Sequence, residues 1–458
     1  MIKAMKKLLL TSLILVFCIQ LSYSQAYFSY FQLRELVPQT QSLQPAFIPK
    51  NTFTFGLPTA GFLAQSDFRL RELISKPDGD INFEVNFNVL LGASAEINRV
   101  STDVTANLFH IGYKTKNGAY SLFANARASV DLRYGKDFME FMANGNSNRI
   151  GGEINLSESR VFANSYQEIG VGHARKFLGE RLTVGARVKL ITGLFHASTA
   201  EGASGTLYTN EIDNSWRISL KNATVNTAGL DLLMNSDDYE SNATSKYAMN
   251  NQNKTVAFDL GAKFKVLDWL TVEAAMNDIG TIKWKEQVRN YNSADTTVII
   301  NGVQLRGLEN SSEVFRDSIE NKFRSNETQN EFSTSLPTKT YLAASLFLTS
   351  KDKFTVVAFN NHVFKEIDPS FAVAYNHTMN KFTFGLLGSY RGPQNEFNMG
   401  MNIAADIGPI QLYVATDNAL VSNKPEQYSK FDLRFGLNLM FGYKKWLPKL
   451  DIVDLDSL

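Results

Sequence analysis

The feature that most limits this chain is an alternation of apolar and polar side chains held over ten or more residues at a time. From Tyr120 the even positions read Tyr120, Leu122, Ala124, Ala126, Ala128, Val130, Leu132 and Tyr134. The odd positions include Ser121, Asn125, Arg127, Ser129, Asp131 and Arg133. A period of two puts these sets on opposite faces of a β-strand. The pattern recurs over 182–190, 258–266, 270–277 and 431–441. A membrane-spanning barrel strand needs this division: hydrocarbon on one side, polar packing or water on the other, aromatic rings at the interfaces.

A soluble β-sandwich alternates too. Its strands, however, average about five or six residues, whereas a tilted membrane span takes about nine to eleven. Several runs here reach that length. The connections also alternate in length. Short turns are expected at Lys116–Gly118, Leu178–Arg181, Leu267–Trp269, Ser350–Lys353, Met379–Lys381 and Ile407–Pro409. Long polar stretches fall at 135–160, 198–254 and 285–333. Short periplasmic turns and longer outer loops give a transmembrane barrel this rhythm.

Strands are expected near 52–64, 99–115, 120–134, 161–177, 182–197, 255–266, 270–284, 338–349, 354–363, 370–378, 382–391, 397–406, 410–418 and 430–442, which makes 14. An even count returns both chain ends to the short-turn side. The fold class is therefore all-β: an up-and-down antiparallel transmembrane barrel over 51–442. Residues 81–89 also alternate and are expected as an added strand or an inward fold. Lys136–Ala143 reads as a short helical turn in an outer loop.

Lys3, Lys6 and Lys7, the apolar run Leu8–Leu21 and the small residues Ser22 and Ser24 form an export signal over 1–24. The run is short for a transmembrane anchor. Cys18 is the single cysteine, and bulky Phe17 before it argues against lipidation there. Cleavage after Ser24 leaves a chain with no disulfide, thiolate or cysteine metal site. It also leaves 43 basic against 45 acidic residues, so no charge excess points to nucleic acid. The mean hydropathy of −0.17 suits a wall that meets lipid on one face only. Residues 25–50 precede the first strand and carry Pro38, Pro45 and Pro49. They are expected as a plug at or inside the periplasmic mouth, since a wide barrel must be filled or closed. Residues 443–458 form a periplasmic tail.

Motifs for chemistry are few. Gly170-Val171-Gly172 lacks the third glycine of a dinucleotide loop, with Arg175 in its place, and reads as small residues on a strand. No P-loop, zinc helix or nucleophile elbow occurs; Gly202-Ala203-Ser204-Gly205-Thr206 fails at its last position. His110, His173, His196, His362 and His377 show no metal-ligand spacing. The acidic run Ser236–Glu240 could hold Ca²⁺ but reads more simply as a solvated loop. Catalytic residues, metal sites and cofactors are therefore expected to be absent.

The candidate site is instead a set of charges on the inward parity: Arg127, Asp131, Arg133, Arg187, Lys189, Asp259, Lys263, Lys265, Glu273 and Arg434. They would line a polar channel or pair with one another and with the plug. The mixed signs favour pairing, because buried charges need partners.

Leu43-Gln44-Pro45-Ala46-Phe47 followed by Phe53–Pro58 resembles the opening of an uncharacterised outer-membrane barrel family from bacteria that use type IX secretion. Tyr166–Gly172, Leu182–Gly193 and Leu433–Gly442 are similar to its central and last strands. In the plug motif Gln44, Pro45, Ala46 and Phe47, Gln44 stands where the family has Asn. The resemblance, which spans nearly the whole mature chain, is to a family of unknown function placed near FadL-type and PorV-type barrels. It implies a 14-stranded barrel with an N-terminal segment in the lumen and no assigned catalytic residues. It also implies a FadL-like passive conduit for a small hydrophobic solute, or a PorV-like structural barrel serving secretion or envelope assembly. The partners expected are the outer-membrane bilayer, the barrel-assembly machinery and a small hydrophobic ligand.

Overall fold

The computed structural model describes residues 27–75, 84–85, 87–145, 147–234, 242–250, 252–292, 296–300, 327–363, 369–391, 396–422 and 427–442. The export signal, Cys18, the 236–240 acidic run and the 443–458 tail lie outside them.

Fourteen strands form the wall. They are β1 (two pieces, Phe53–Gly56 and Thr59–Ser66), β2 (Ile97–Lys114), β3 (Gly118–Gly135), β4 (Arg160–Phe177) and β5 (Leu182–Thr199). Then come β6 (Lys254–Leu267), β7 (Leu270–Ile279), β8 (Thr338–Phe347), β9 (Asp352–His362) and β10 (Pro369–Met379). The last four are β11 (Phe382–Arg391), β12 (Glu396–Ile407), β13 (Ile410–Thr416) and β14 (Lys430–Phe441). Each pairs antiparallel with the next, and β14 closes on β1 with Phe53 opposite Phe441 and Ala60 opposite Phe435. Closure leaves no unpaired wall edge, which is the condition for a sheet to sit in hydrocarbon.

The six expected short turns all join strands at one end. The long connections meet at the other. There Thr224–Ala228 extends the wall from β5, and a separate four-stranded sheet is built from Glu153–Asn155, Ser204–Thr209, Trp216–Lys221 and Thr296–Ile300. Lys136–Asn144 is the expected helix. Of the 81–89 stretch, residues 81–83 and 86 lie outside the described residues; Glu84–Val85 pairs with Ile74–Ser75, and Phe87–Ala93 is helical, which departs from an added strand running to 89.

The wall is inside-out by soluble standards. Its exposed side chains are Leu122, Val171, Leu260, Leu342 and Phe435, on the parity the alternation assigns to lipid. Its inward side chains are buried, and residues 27–50 bury them. Phe28, Phe31, Leu33, Val37 and Phe47 pack on Tyr341, Val357, Phe359, Ala372, Ala374 and Leu387.

The expected strand 270–284 is broken. β7 stops at Ile279, and Thr281–Trp284 pairs instead with Phe332–Ser335. The cause is Asp278, whose φ of 61° is left-handed. That turn puts Asn277 and Asp278 both inside, where strict alternation would send Asp278 to lipid.

Candidate functional site

The interior is a filled lumen with two unlike walls. On the β2–β7 side, charges meet in a network. Lys189 from β5 lies 2.7 Å from Asp259 of β6 and 3.5 Å from Glu168 of β4, and it pairs with Asp278. Arg127 from β3 reaches Glu168 at 3.2 Å and Asp278 at 3.1 Å. Arg187 pairs with Asp259 at 3.2 Å, donates to the Gln41 carbonyl at 3.2 Å and lies over the Phe123 ring at 3.6 Å. The Asp278 amide donates to Asp259 at 2.8 Å. Three cations and three carboxylates thus satisfy one another away from water, the condition under which buried charge is tolerated.

Of the ten sequence-chosen residues, Arg127, Arg187, Lys189 and Asp259 come together here. Asp131 pairs with Arg99 at 2.5 Å, and Arg133 with Glu158 at 2.8 Å, nearer the long-loop end. Glu273 pairs with Arg34, and Lys263 with Glu35, both on the N-terminal segment. Lys265 sits apart, half-exposed at a turn beside Asp268 at 2.6 Å. Arg434 has rings rather than a carboxylate: Tyr27 at 4.1 Å and Tyr30 at 4.6 Å.

Sequence reasoning missed Asp103, Glu168, Asp278 and Lys339. Asp103, Glu168 and Lys339 stood on inward parities and could have been found by extending the alternation. Asp278 could not, because its facing depends on the break. Asp103 matters because it accepts from Tyr27 Oη at 2.6 Å and from Lys339 at 3.0 Å.

Residues 27–50 are tied in along their length. Asp417 accepts the backbone amides of Phe28 at 2.9 Å and Ser29 at 2.6 Å. In the plug motif, Gln44 donates to the carbonyls of Ala262 at 3.3 Å and Ala274 at 3.0 Å. Gly185 and Gly261 face Pro45 and Gln44 so closely that a Cβ at either would collide. Glycine is therefore needed where wall and segment meet. The ring of Phe31 stacks on Tyr341 at 5.2 Å and 7°, and Tyr341 packs on Phe359 at 4.6 Å. Burial opposes ionisation of Glu35, but Lys263 and Arg34 outweigh it and hold its carboxyl well below the usual range. A void beside Tyr30 and Arg434 measures about 20 Å³, and another beside Asp103 and Tyr166 about 10 Å³. Among the described residues no cluster of three His, Cys, Asp or Glu could hold a metal ion.

Among solved structures, the Ralstonia pickettii toluene transporter TbuX aligns over 89% of this chain and 94% of its own, at 10% identity and a TM-score of 0.41. A Pseudomonas aeruginosa FadL homologue aligns over 93% and 100%, at 8% and 0.41. The P. putida toluene transporter TodX aligns over 92% and 94%, at 9% and 0.33. These neighbours are FadL-type barrels; likeness at this level carries no argument about cargo, and the barrel stands on its own strand pairing. No curated protein matches the sequence. The model of a family of unknown function, DUF5723, matches residues 45–417, more than half of the chain, and the chain belongs to that family.

Proposed function

We propose that the protein is a FadL-like passive conduit of the bacterial outer membrane for a small hydrophobic solute, held closed by residues 27–50. The observation that carries this reading is the apolar strip along the inner wall of β8–β13, on which Phe28, Phe31 and Phe47 are seated. A polar pore has no use for such a strip. A barrel that hands apolar molecules along its lumen needs one, and aromatic rings of the protein's own chain fill it in the closed state. The outward apolar belt and the signal-like start of the sequence support an outer-membrane location reached by export. Insertion by the barrel-assembly machinery goes with that location.

A second reading, a structural or docking barrel for secretion or envelope assembly, is favoured by the completeness of the filling and by the four-stranded sheet over the long-loop end. Uptake of a small aromatic hydrocarbon by cells with an intact outer membrane separates the two. The conduit reading expects the full chain to raise uptake above cells lacking it, and deletion of residues 27–50 to raise it further. No increase with either form would leave the docking reading.

A further inference from the structure

Between the N-terminal segment and the wall, a cavity of about 20 Å³ is lined by Arg127, Arg187 and Arg434, with His110, Gln39 and Tyr30. No carboxylate lines it. Arg187, Arg434 and His110 are more than nine-tenths buried. The Nε atoms of all three arginines and Nδ1 of His110 have no hydrogen-bond partner. Arg127 and Arg187 spend their outer nitrogens on carboxylates and on the Gln41 carbonyl on the far side. Arg434 has no carboxylate within ion-pair distance among the described residues; its guanidinium lies over Gly61, flanked by Tyr27 and Tyr30. A buried cation with no carboxylate beside it is costly, and Arg434 is such a cation at the edge of this void. Gln39 and Asn107 also line the void, but neutral dipoles do not offset the full charge of Arg434 at this range.

We propose that this cavity is a binding site for one small monovalent anion of chloride size, clamped between Arg434 on β14 and the Arg127–Arg187 pair on β3 and β5. The volume admits a single water-sized particle and no polyatomic organic anion. An anion there gives Arg434 the opposite charge that Arg127 and Arg187 already have. Tyr30 and Gln39 of the N-terminal segment close the cavity, so the ion binds only while the segment is seated. It therefore locks residues 27–50 in place. This holds whatever the barrel carries.

The test is hydrogen exchange of residues 27–50 in the purified full-length protein, in sodium bromide against sodium gluconate at equal ionic strength. Gluconate is too large for the cavity. Bromide at ten times its dissociation constant is expected to slow exchange about tenfold, since binding to the seated form alone shifts the opening equilibrium by that factor. Arg434→Gln is expected to abolish the difference. Gly61→Ala, whose Cβ would lie 2.5 Å from Arg434 Nε and displace it, provides the same test if Arg434→Gln does not insert. Equal exchange in the two salts would mean that water alone fills the void and would overturn the proposal. So would a bromide effect that survives in the variants.

Discussion

The two walls of the lumen hold the same segment by different physics. On the β2–β7 side, contacts are directional: Lys189, Arg127 and Arg187 each need a carboxylate at a set distance, and removing one member strands the others. On the β8–β13 side, rings and small apolar side chains dominate, in contacts without direction, beside a few hydrogen bonds such as that from Gln411 to the Leu36 carbonyl. The charged wall therefore fixes register, and the apolar wall supplies adhesion that survives sliding. A segment that must seat in one way and still leave is served by having both.

The largest effect expected is from Lys189→Met, which leaves Glu168, Asp259 and Asp278 short of a cation. The loss should be about 3–5 kcal/mol in barrel unfolding by urea, as for a broken buried ion pair. A near-neutral result would show that the network is already hydrated, and the contrast between the walls would fail. Phe31→Ala should cost about 3 kcal/mol by cavity formation, but in local opening of residues 27–50 and not in barrel unfolding. Limited proteolysis of the segment reads this, and an equal loss in global stability would blur the comparison.

Acid should act through Glu35. Its folded pKa is depressed, so its contribution is complete above its unfolded value of about 4.3 and is lost as pH falls through the folded value. Protection of the segment should be flat from pH 7 to pH 5 and weaken below about pH 4. Glu35→Gln should remove that acid dependence. Lys265→Ala should change nothing measurable, because its pair with Asp268 is exposed at a turn. A loss there would mean that position along the lumen matters less than the account holds.

The wall was legible because its signal is local. Each strand announces itself by alternation, and the turns by their length, so all fourteen are found, thirteen near their expected bounds and β7 cut short at Ile279. The inward facing of Arg187, Lys189, Asp259 and Arg434 follows from the same parity. What could not be read is pairing across distance. Nothing local joins Glu273 to Arg34, or Asp417 to the amides of Phe28 and Ser29, since each requires two remote segments to be placed first. The break at Asp278 is hidden for a related reason. A left-handed aspartate after eight alternating residues is stabilised by Arg127 and Lys189, not by its neighbours in sequence.

The central claim is that residues 27–50 sit inside the ring of strands, and a disulfide tests it most directly. Ser29 lies beside Asp417, just past β13, whose carboxylate accepts its amide at 2.6 Å, and the sequence has no cysteine beyond Cys18. Ser29→Cys with Asp417→Cys, expressed in cells and oxidised in the membrane, should form a crosslink that changes migration on a denaturing gel and is lost on reduction. Absence of that crosslink, in a protein whose adjacent-strand cysteine pair does form one, would place the segment elsewhere and contradict the account.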